Sequence, residues 1–305
     1  MSRPHQVKIR EVGPRDGFQN EPDLIATDDK VRLIEALGTA GFSRMEVASF
    51  VRADVIPQLA DGVEVLARID VPKTVRLSVL LPNERGLDNA LVVREHFHDV
   101  GLVVSASETH NQRNLNRSIE ESMDASSRMI ARAVAVGLHC EAIVATAFGC
   151  PYEGEVKVDT VLDLAERFVE IGAAEIAFGD TTGMANPWQV EEFFGRAFER
   201  LPGLELTAHF HNTRGQGLAN ALAALNSGCA SFESSFGELG GCPVPPGSTG
   251  NIATEDLLSM FAEMGVETGV DLTAVIAAAR QAQELLGRKL TSHSLVAGPV
   301  DWNRG

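Results

Sequence analysis

Strand-like and helix-like stretches alternate eight times along this chain of 305 residues, and no other feature constrains its fold as much. Short strand-like runs stand at 7–12, 44–48, 75–81, 99–105, 138–147, 175–178, 204–208 and 230–235. Helical patterns follow each of them: 28–40, 55–69, onward from Glu84, 118–136, 159–171, onward from Pro187, 215–227, and onward from Thr254. In the first, Val31, Leu33, Ile34 and Leu37 share one face. Gly41, Gly137, Gly172 and Gly228 each stand before the next strand, where a left-handed residue closes a helix. Strands joined by helical crossovers must be parallel, and eight of them make a closed (β/α)8 TIM barrel of about 250 residues. A doubly wound sheet would want a Gly-rich fingerprint after the first strand, but the turn there is Gly13-Pro14-Arg15-Asp16-Gly17. The expected architecture is one α/β domain over 1–305, with the barrel at about 6–265 and a C-terminal helix and tail at 271–305. That helix either pads the barrel or joins a homodimer.

A net charge of −16 argues against a nucleic-acid or membrane-surface protein, and any basic groups for an anionic substrate must be concentrated locally. No apolar run is long enough to span a bilayer, and the N-terminus carries no apolar signal core. Cys140, Cys150, Cys229 and Cys242 lack metal-binding or disulfide spacing, which suits a reducing, cytoplasmic setting.

Reactive residues gather where strands should end, the place where such barrels keep their chemistry. His209-Phe210-His211 closes the seventh strand, and residues two apart on a strand face the same way, so both imidazoles can grip one ion. Asp16, after the first strand, supplies a hard oxygen donor, and Asn251 a neutral carbonyl oxygen. Such a set suits Mg2+ or Mn2+ better than tetrahedral zinc, with Zn2+ and Co2+ left open. Asp16 reads otherwise as a turn cap. Arg15 is either a fixed cation for a developing enolate or half of a structural ion pair. Glu46 lies inside the second strand; a carboxylate facing the barrel interior needs a partner, and Arg15 is the obvious one. Asp180-Thr181 follow the sixth strand, with a similar claim for Asp180. The stretch 237–250 holds five glycines and three prolines and reads as a loop that closes over substrate, with Cys242 at its centre. Cys242 is either a thiol near the chemistry or a buried filler; Cys140 and Cys229 read as fillers, and Cys150 stays undecided. His110, after the fourth strand, reads as a loop residue rather than a ligand.

Together these segments resemble the 3-hydroxy-3-methylglutaryl-CoA lyase family, metal-dependent (β/α)8 lyases related to isopropylmalate synthases. The resemblance runs from Val7 to about Leu290. It rests on Glu11-Val12-Gly13-Pro14-Arg15-Asp16-Gly17-Phe18-Gln19-Asn20-Glu21, Gly149-Cys150-Pro151-Tyr152-Glu153-Gly154, Gly179-Asp180-Thr181, the His-Phe-His triplet, Gly240-Gly241-Cys242-Pro243 and Gly250-Asn251-Ile252-Ala253-Thr254-Glu255-Asp256. The resemblance implies Asp16, His209, His211 and Asn251 as metal ligands. It implies Arg15 as the residue that steadies the enolate, Cys242 as the active-site loop cysteine, and Glu46 and Asp180 as supporting acids. Gln19 and Thr181 would line the substrate pocket beside Arg15.

The implied reaction is a retro-Claisen cleavage of a 3-hydroxy-3-alkylglutaryl-CoA, giving acetyl-CoA and a 3-oxo acid. The implied partner is therefore an acyl-CoA. The chain departs from the usual lyase pattern at Asn212, where an Asp is common, at Arg214, where an aromatic is common, at Pro22, at 107–111 and at 244–249. These departures bear on the acyl group. A Claisen-condensing synthase of the isopropylmalate or citramalate kind would share the barrel, the His pair and Arg15-Asp16. The Gly-Gly-Cys-Pro loop and the absence of a C-terminal regulatory domain favour the lyase. A metal-binding barrel without turnover would not need Cys242, Glu46 and Arg15 together.

Overall fold

Eight parallel strands close on themselves in chain order. They are β1 (Lys8–Glu11), β2 (Arg44–Ser49), β3 (Arg76–Leu80), β4 (Asp99–Ser105), β5 (His139–Ala145), β6 (Glu175–Asp180), β7 (Glu205–Phe210) and β8 (Ser231–Ser234). β8 pairs with β1 from Lys8↔Ser231 to Glu11↔Ser234, which shuts the barrel. This computed structural model describes residues 3–240 and 250–302.

The expected helices are present with small shifts at their ends, for instance Thr27–Gly38, Val158–Glu170 and Pro187–Arg200. Gly41, Gly137, Gly172 and Gly228 all take positive φ, between 76° and 104°, as their place before a strand predicted.

Three stretches differ from the sequence reading. The helix expected over 55–69 is broken into a 3-10 turn, Pro57–Leu59, and a short helix, Gly62–Arg68. The cause is tertiary: the Gln58 side chain accepts from the Ile25 N–H at 3.1 Å and donates to the Glu21 carbonyl at 3.0 Å, which pins the turn to the loop after β1. His110 does not lie in a loop. It sits in the helix Glu108–Leu115, whose N-cap Ser107 accepts from the His110 N–H at 3.2 Å. The tail carries a further short helix, His293–Ala297, started by Ser292 and held by the Asp256 carboxylate.

Strand parity divides the interior into two unlike regions. Residues facing the helices are apolar, and a ring cluster of Phe148, Phe178 and Phe193 has centroids 4.8–4.9 Å apart. Residues facing the lumen are mostly polar or charged, with Val12 and Gly101 among the exceptions. At the N-terminal mouth Arg10 meets Glu141, Glu175 at 2.8 Å and Glu205 at 2.7 Å, while Arg44 meets Glu175 at 2.7 Å and Asp99 at 3.0 Å. A cavity of about 260 Å3 opens beside this network. Burial works against the Arg10 charge, but the surrounding carboxylates outweigh it and hold its pKa above the ordinary range.

The helix Leu272–Leu286 pads the barrel. Its N-cap Asp271 accepts from the Thr273 N–H at 2.8 Å, its own N–H reaches the Ala40 carbonyl at 2.8 Å, and Val275, Ile276 and Ala279 are buried. Among the described residues no helix is long and apolar enough to cross a membrane.

Candidate active site

The site is built from the C-terminal ends of β1, β2, β7 and β8. After β1 the chain makes a tight turn, Gly13–Gly17, in which the Val12 carbonyl accepts from the N–H groups of both Arg15 and Asp16. Gly13 is required there: a Cβ would lie 2.5 Å from the Phe236 ring and 2.7 Å from the Glu11 carboxylate. Glu11, fully buried, accepts from the N–H of Gly13 at 2.7 Å and of Phe236 at 3.1 Å, and from the Thr254 hydroxyl at 2.7 Å. It thereby ties the turn after β1 to the chain after β8, and burial lifts its pKa to about 7.

The turn presents Asp16 to the end of β7. β7 runs two residues past its expected end, so His209 lies within the strand and His211 just beyond. Their Nε2 atoms are 3.1 Å apart, and ligand atoms of Asp16, His209 and His211 lie within 4.8 Å of one another. Asn251 arrives by a route no local pattern predicts. After β8 the chain returns antiparallel to the end of β7, pairing Asn251 with His211. The Asn251 amide donates to Asp16 at 2.6 Å, and its buried Oδ1 has no hydrogen-bond partner among the described residues.

That spare acceptor beside one carboxylate oxygen and two imidazole nitrogens is a donor set that fits a divalent ion. Burial alone would raise the Asp16 pKa, but the Arg15 guanidinium, the two imidazoles and Asn251 hold it below the carboxylate range.

Arg15 lies between two acids, paired with Glu46 from β2 and with Asp16 at 2.7 Å. The partner expected for Glu46 is thus the one found. Burial pushes Glu46 up to about 7 despite Arg15, with Glu233 and Asp16 adding to the shift. Gln19 donates to Asp16 at 2.7 Å. The Thr181 hydroxyl accepts from the Thr146 N–H at 3.0 Å, at the ends of β5 and β6. Asp180 folds the loop after β6 by accepting from the N–H groups of Met184 at 2.8 Å and Ala185 at 3.1 Å. Its second oxygen is buried without a partner among the described residues, and burial lifts its pKa to about 7.

The HMGL-like family model matches residues 6–281. The chain belongs to that family. It is 43% identical to the hydroxymethylglutaryl-CoA lyase YngG of Bacillus subtilis, over 97% of this chain and 98% of the relative. It is 41% identical to the (R)-citramalyl-CoA lyase of Chloroflexus aurantiacus, over 96% of this chain and 95% of the relative. The crystal structure of an HMG-CoA lyase from Acinetobacter baumannii, in complex with coenzyme A and 3-methylmalate, superposes with a TM-score of 0.94 at 40% identity, covering 99% of this chain and 98% of that one.

Sequence reasoning missed one residue of this HMGL-like site. Glu233, on β8, binds His209 Nδ1 at 2.8 Å. Burial opposes its charge, but His209, Arg10 and Arg15 keep its pKa low, and it in turn raises that of His209 against burial. A carboxylate so placed fixes the ring and aims its Nε2 at Asp16 and His211. Its signal was available, since Glu233 lies inside the eighth strand-like run as Glu46 lies inside the second. Glu233→Gln should weaken divalent-metal binding by about 10- to 100-fold, measured by Mn2+ titration. Unchanged affinity would mean that the ring is held by packing alone.

Cys242 and the rest of 241–249 lie outside the described residues. Cys140 and Cys229 are buried as expected, their thiols pushed by burial to about 11 and about 12. Cys150 is buried and accepts from the Ser107 hydroxyl at 3.0 Å. His110 is buried, with no hydrogen-bond partner on either ring nitrogen among the described residues, and burial lowers its pKa.

A pH effect arises from Glu255, one residue into the helix Thr254–Glu263. Both its carboxylate oxygens accept from the Gly237 N–H, at 2.9 and 3.0 Å, and burial raises its pKa to about 8. Its stabilisation is complete below the unfolded value of about 4.3 and is lost as pH rises through about 8. Glu255→Gln keeps an acceptor without a charge. The melting temperature of the wild type should therefore fall relative to this variant between pH 5 and 9, by at least about 3 °C. Parallel curves would show that Glu255 does not titrate in that window.

Proposed function

We propose that this chain is a divalent-metal-dependent carbon–carbon lyase that cleaves 3-hydroxy-3-methylglutaryl-CoA, or a close 3-hydroxy-3-alkylglutaryl-CoA, to acetyl-CoA and the matching 3-oxo acid. The observation that carries this is the convergence of Asp16, His209 and His211 beside the Arg15–Glu46 pair in a chain related to hydroxymethylglutaryl-CoA lyases. Asp16, His209, His211 and Asn251 would hold the metal, Mg2+ or Mn2+ by their mix of oxygen and imidazole donors. Bound there, a divalent ion supplies Lewis acidity that lowers the pKa of a tertiary alcohol.

The remaining work falls to the protein's own groups. A base takes the C3 hydroxyl proton, the C2–C3 bond breaks, C3 becomes a carbonyl, and the electron pair passes to the thioester as an enolate. Arg15, oriented by Glu46, offsets the enolate charge. Cys242 returns a proton to C2. Asp180 supports the site as a second acid, and Gln19 and Thr181 line the substrate pocket with Arg15. We further infer a cytoplasmic homodimer that takes an acyl-CoA and has no nucleic-acid or membrane partner.

A second substrate reading has an observation of its own: a relative at 41% identity is an (R)-citramalyl-CoA lyase. That substrate undergoes the same bond cleavage but yields pyruvate in place of acetoacetate. Metal-loaded protein is to be incubated with both acyl-CoAs and with longer 3-alkyl analogues, following acetyl-CoA, acetoacetate and pyruvate. Acetoacetate from the glutaryl substrate supports the first reading, and pyruvate alone supports the second. No acetyl-CoA from any substrate, with or without Mg2+ or Mn2+, would sink the lyase assignment.

A further inference from the structure

We propose that Asn212 and Glu238 form a positioning pair that sets the distance between the two halves of the metal site, the β7 half with His209 and His211 and the β8–β1 half with Asn251 and Asp16. The inference rests on the metal reading above.

Every polar group of Asn212 is engaged. Its N–H donates to the Gly250 carbonyl at 3.0 Å, and its carbonyl accepts from Gly215 at 2.8 Å. Its side-chain Oδ1 accepts from the Gly217 N–H at 3.2 Å, and Nδ2 donates to Glu238 Oε1 at 2.5 Å. The Gly217 N–H can only donate, so Oδ1 must face it, and the group turned to Glu238 must be the NH2. Only an amide serves both sides. An Asp at this position, common in the lyases the chain resembles, would set one carboxylate against another.

Glu238 has its own reason to be here. It is one of three non-glycine residues with positive φ among those described, at 62°, a conformation a glycine would adopt without strain. A side chain kept at a strained position is kept for a contact, and Asn212 is the contact found. The neighbours of Glu238 carry the restraint into the site. The Glu238 carbonyl packs so closely on Gly250 that a Cβ there would lie 1.9 Å from it. The Leu239 carbonyl accepts from Asn251 Nδ2 at 3.3 Å, and a Cβ on Gly240 would lie 2.8 Å from that same nitrogen and 3.2 Å from the Asp16 carbonyl. Asn212 directly follows His211, and Glu238–Gly240 lie directly against Asn251 and Asp16. The side-chain hydrogen bond between them spans the two halves beside the backbone pairing of His211 with Asn251.

The test is Mn2+ binding by the whole protein, read from the free-ion electron paramagnetic resonance signal, for wild type, Asn212→Ala, Glu238→Ala, Glu238→Gln and the double alanine variant. Thermal melting checks that each is folded. Asn212→Ala and Glu238→Ala should each weaken Mn2+ binding about tenfold or more. The double variant should be little weaker than either single one, because both remove the same bond. Glu238→Gln keeps an acceptor for Asn212 and should stay within about threefold of wild type. Folded alanine variants that bind Mn2+ within about twofold of wild type would overturn the proposal. So would a Glu238→Gln variant as weak as Glu238→Ala, since charge and not the bond would then matter. If Asn212→Ala does not fold, the two Glu238 variants decide. A wild type that takes up no Mn2+ would overturn the metal reading itself, a result separable from the others.

Discussion

His209→Ala should lose metal and activity together: divalent-ion affinity falls by roughly 100-fold or more, and kcat by about a thousandfold at a fixed metal concentration. The size follows from what the ring does. Its Nε2 lies 3.1 Å from that of His211, and its Nδ1 is held at 2.8 Å by Glu233. Truncation removes one of four proposed donors and also leaves the buried Glu233 carboxylate without its imidazole partner. Mn2+ titration and acetyl-CoA release should decline in parallel, and excess metal should recover only part of the activity. A variant that keeps full activity would show that the ion, if any, binds elsewhere.

Arg15→Lys separates chemistry from metal binding. The guanidinium pairs with Glu46 and with Asp16 at once, a spread that a single ammonium on a flexible stem does not reproduce. With charge retained but its placement lost, kcat should drop by about 100- to 1,000-fold, while Mn2+ affinity changes only a few-fold. A loss in kcat without a matching change in metal affinity would place the role of Arg15 in the transition state. If kcat stays within about threefold, Arg15 is the structural ion-pair residue that the sequence also allowed.

The barrel was legible because helical crossovers leave parallel strands no alternative, and β4 was predicted to the residue, at 99–105. The His pair and the Arg15–Glu46 partnership were legible for a related reason. Strand parity is a local rule, and it states which side chains share a face. What escaped depended on distant parts of the chain. The break before Gly62 is imposed by Gln58 reaching to 21–25. The antiparallel return that pairs Asn251 with His211 is announced by no periodicity, although the sequence reading already set Asn251 among the donors. His110 lies in a helix and not in a loop, and the sequence carried a sign of it in Ser107, an ordinary N-cap. Glu233 went unremarked although the argument applied to Glu46 fits it equally well.

The charged floor of the lumen bears on how such a barrel can change over generations. Arg10 touches carboxylates from three different strands, so its loss would weaken the pairing of three negative groups at one stroke, leaving them to Lys8 and Arg44. No single replacement there is mild, and acceptable changes must arrive as compensated sets, which single-step drift seldom supplies. At the opposite mouth the outer loops are less bound: Arg214 is exposed and donates to the Thr182 and Gly183 carbonyls, so its exchange strands no carboxylate. A scaffold locked at one end and free at the other is suited to acquiring new acyl preferences without relearning how to fold.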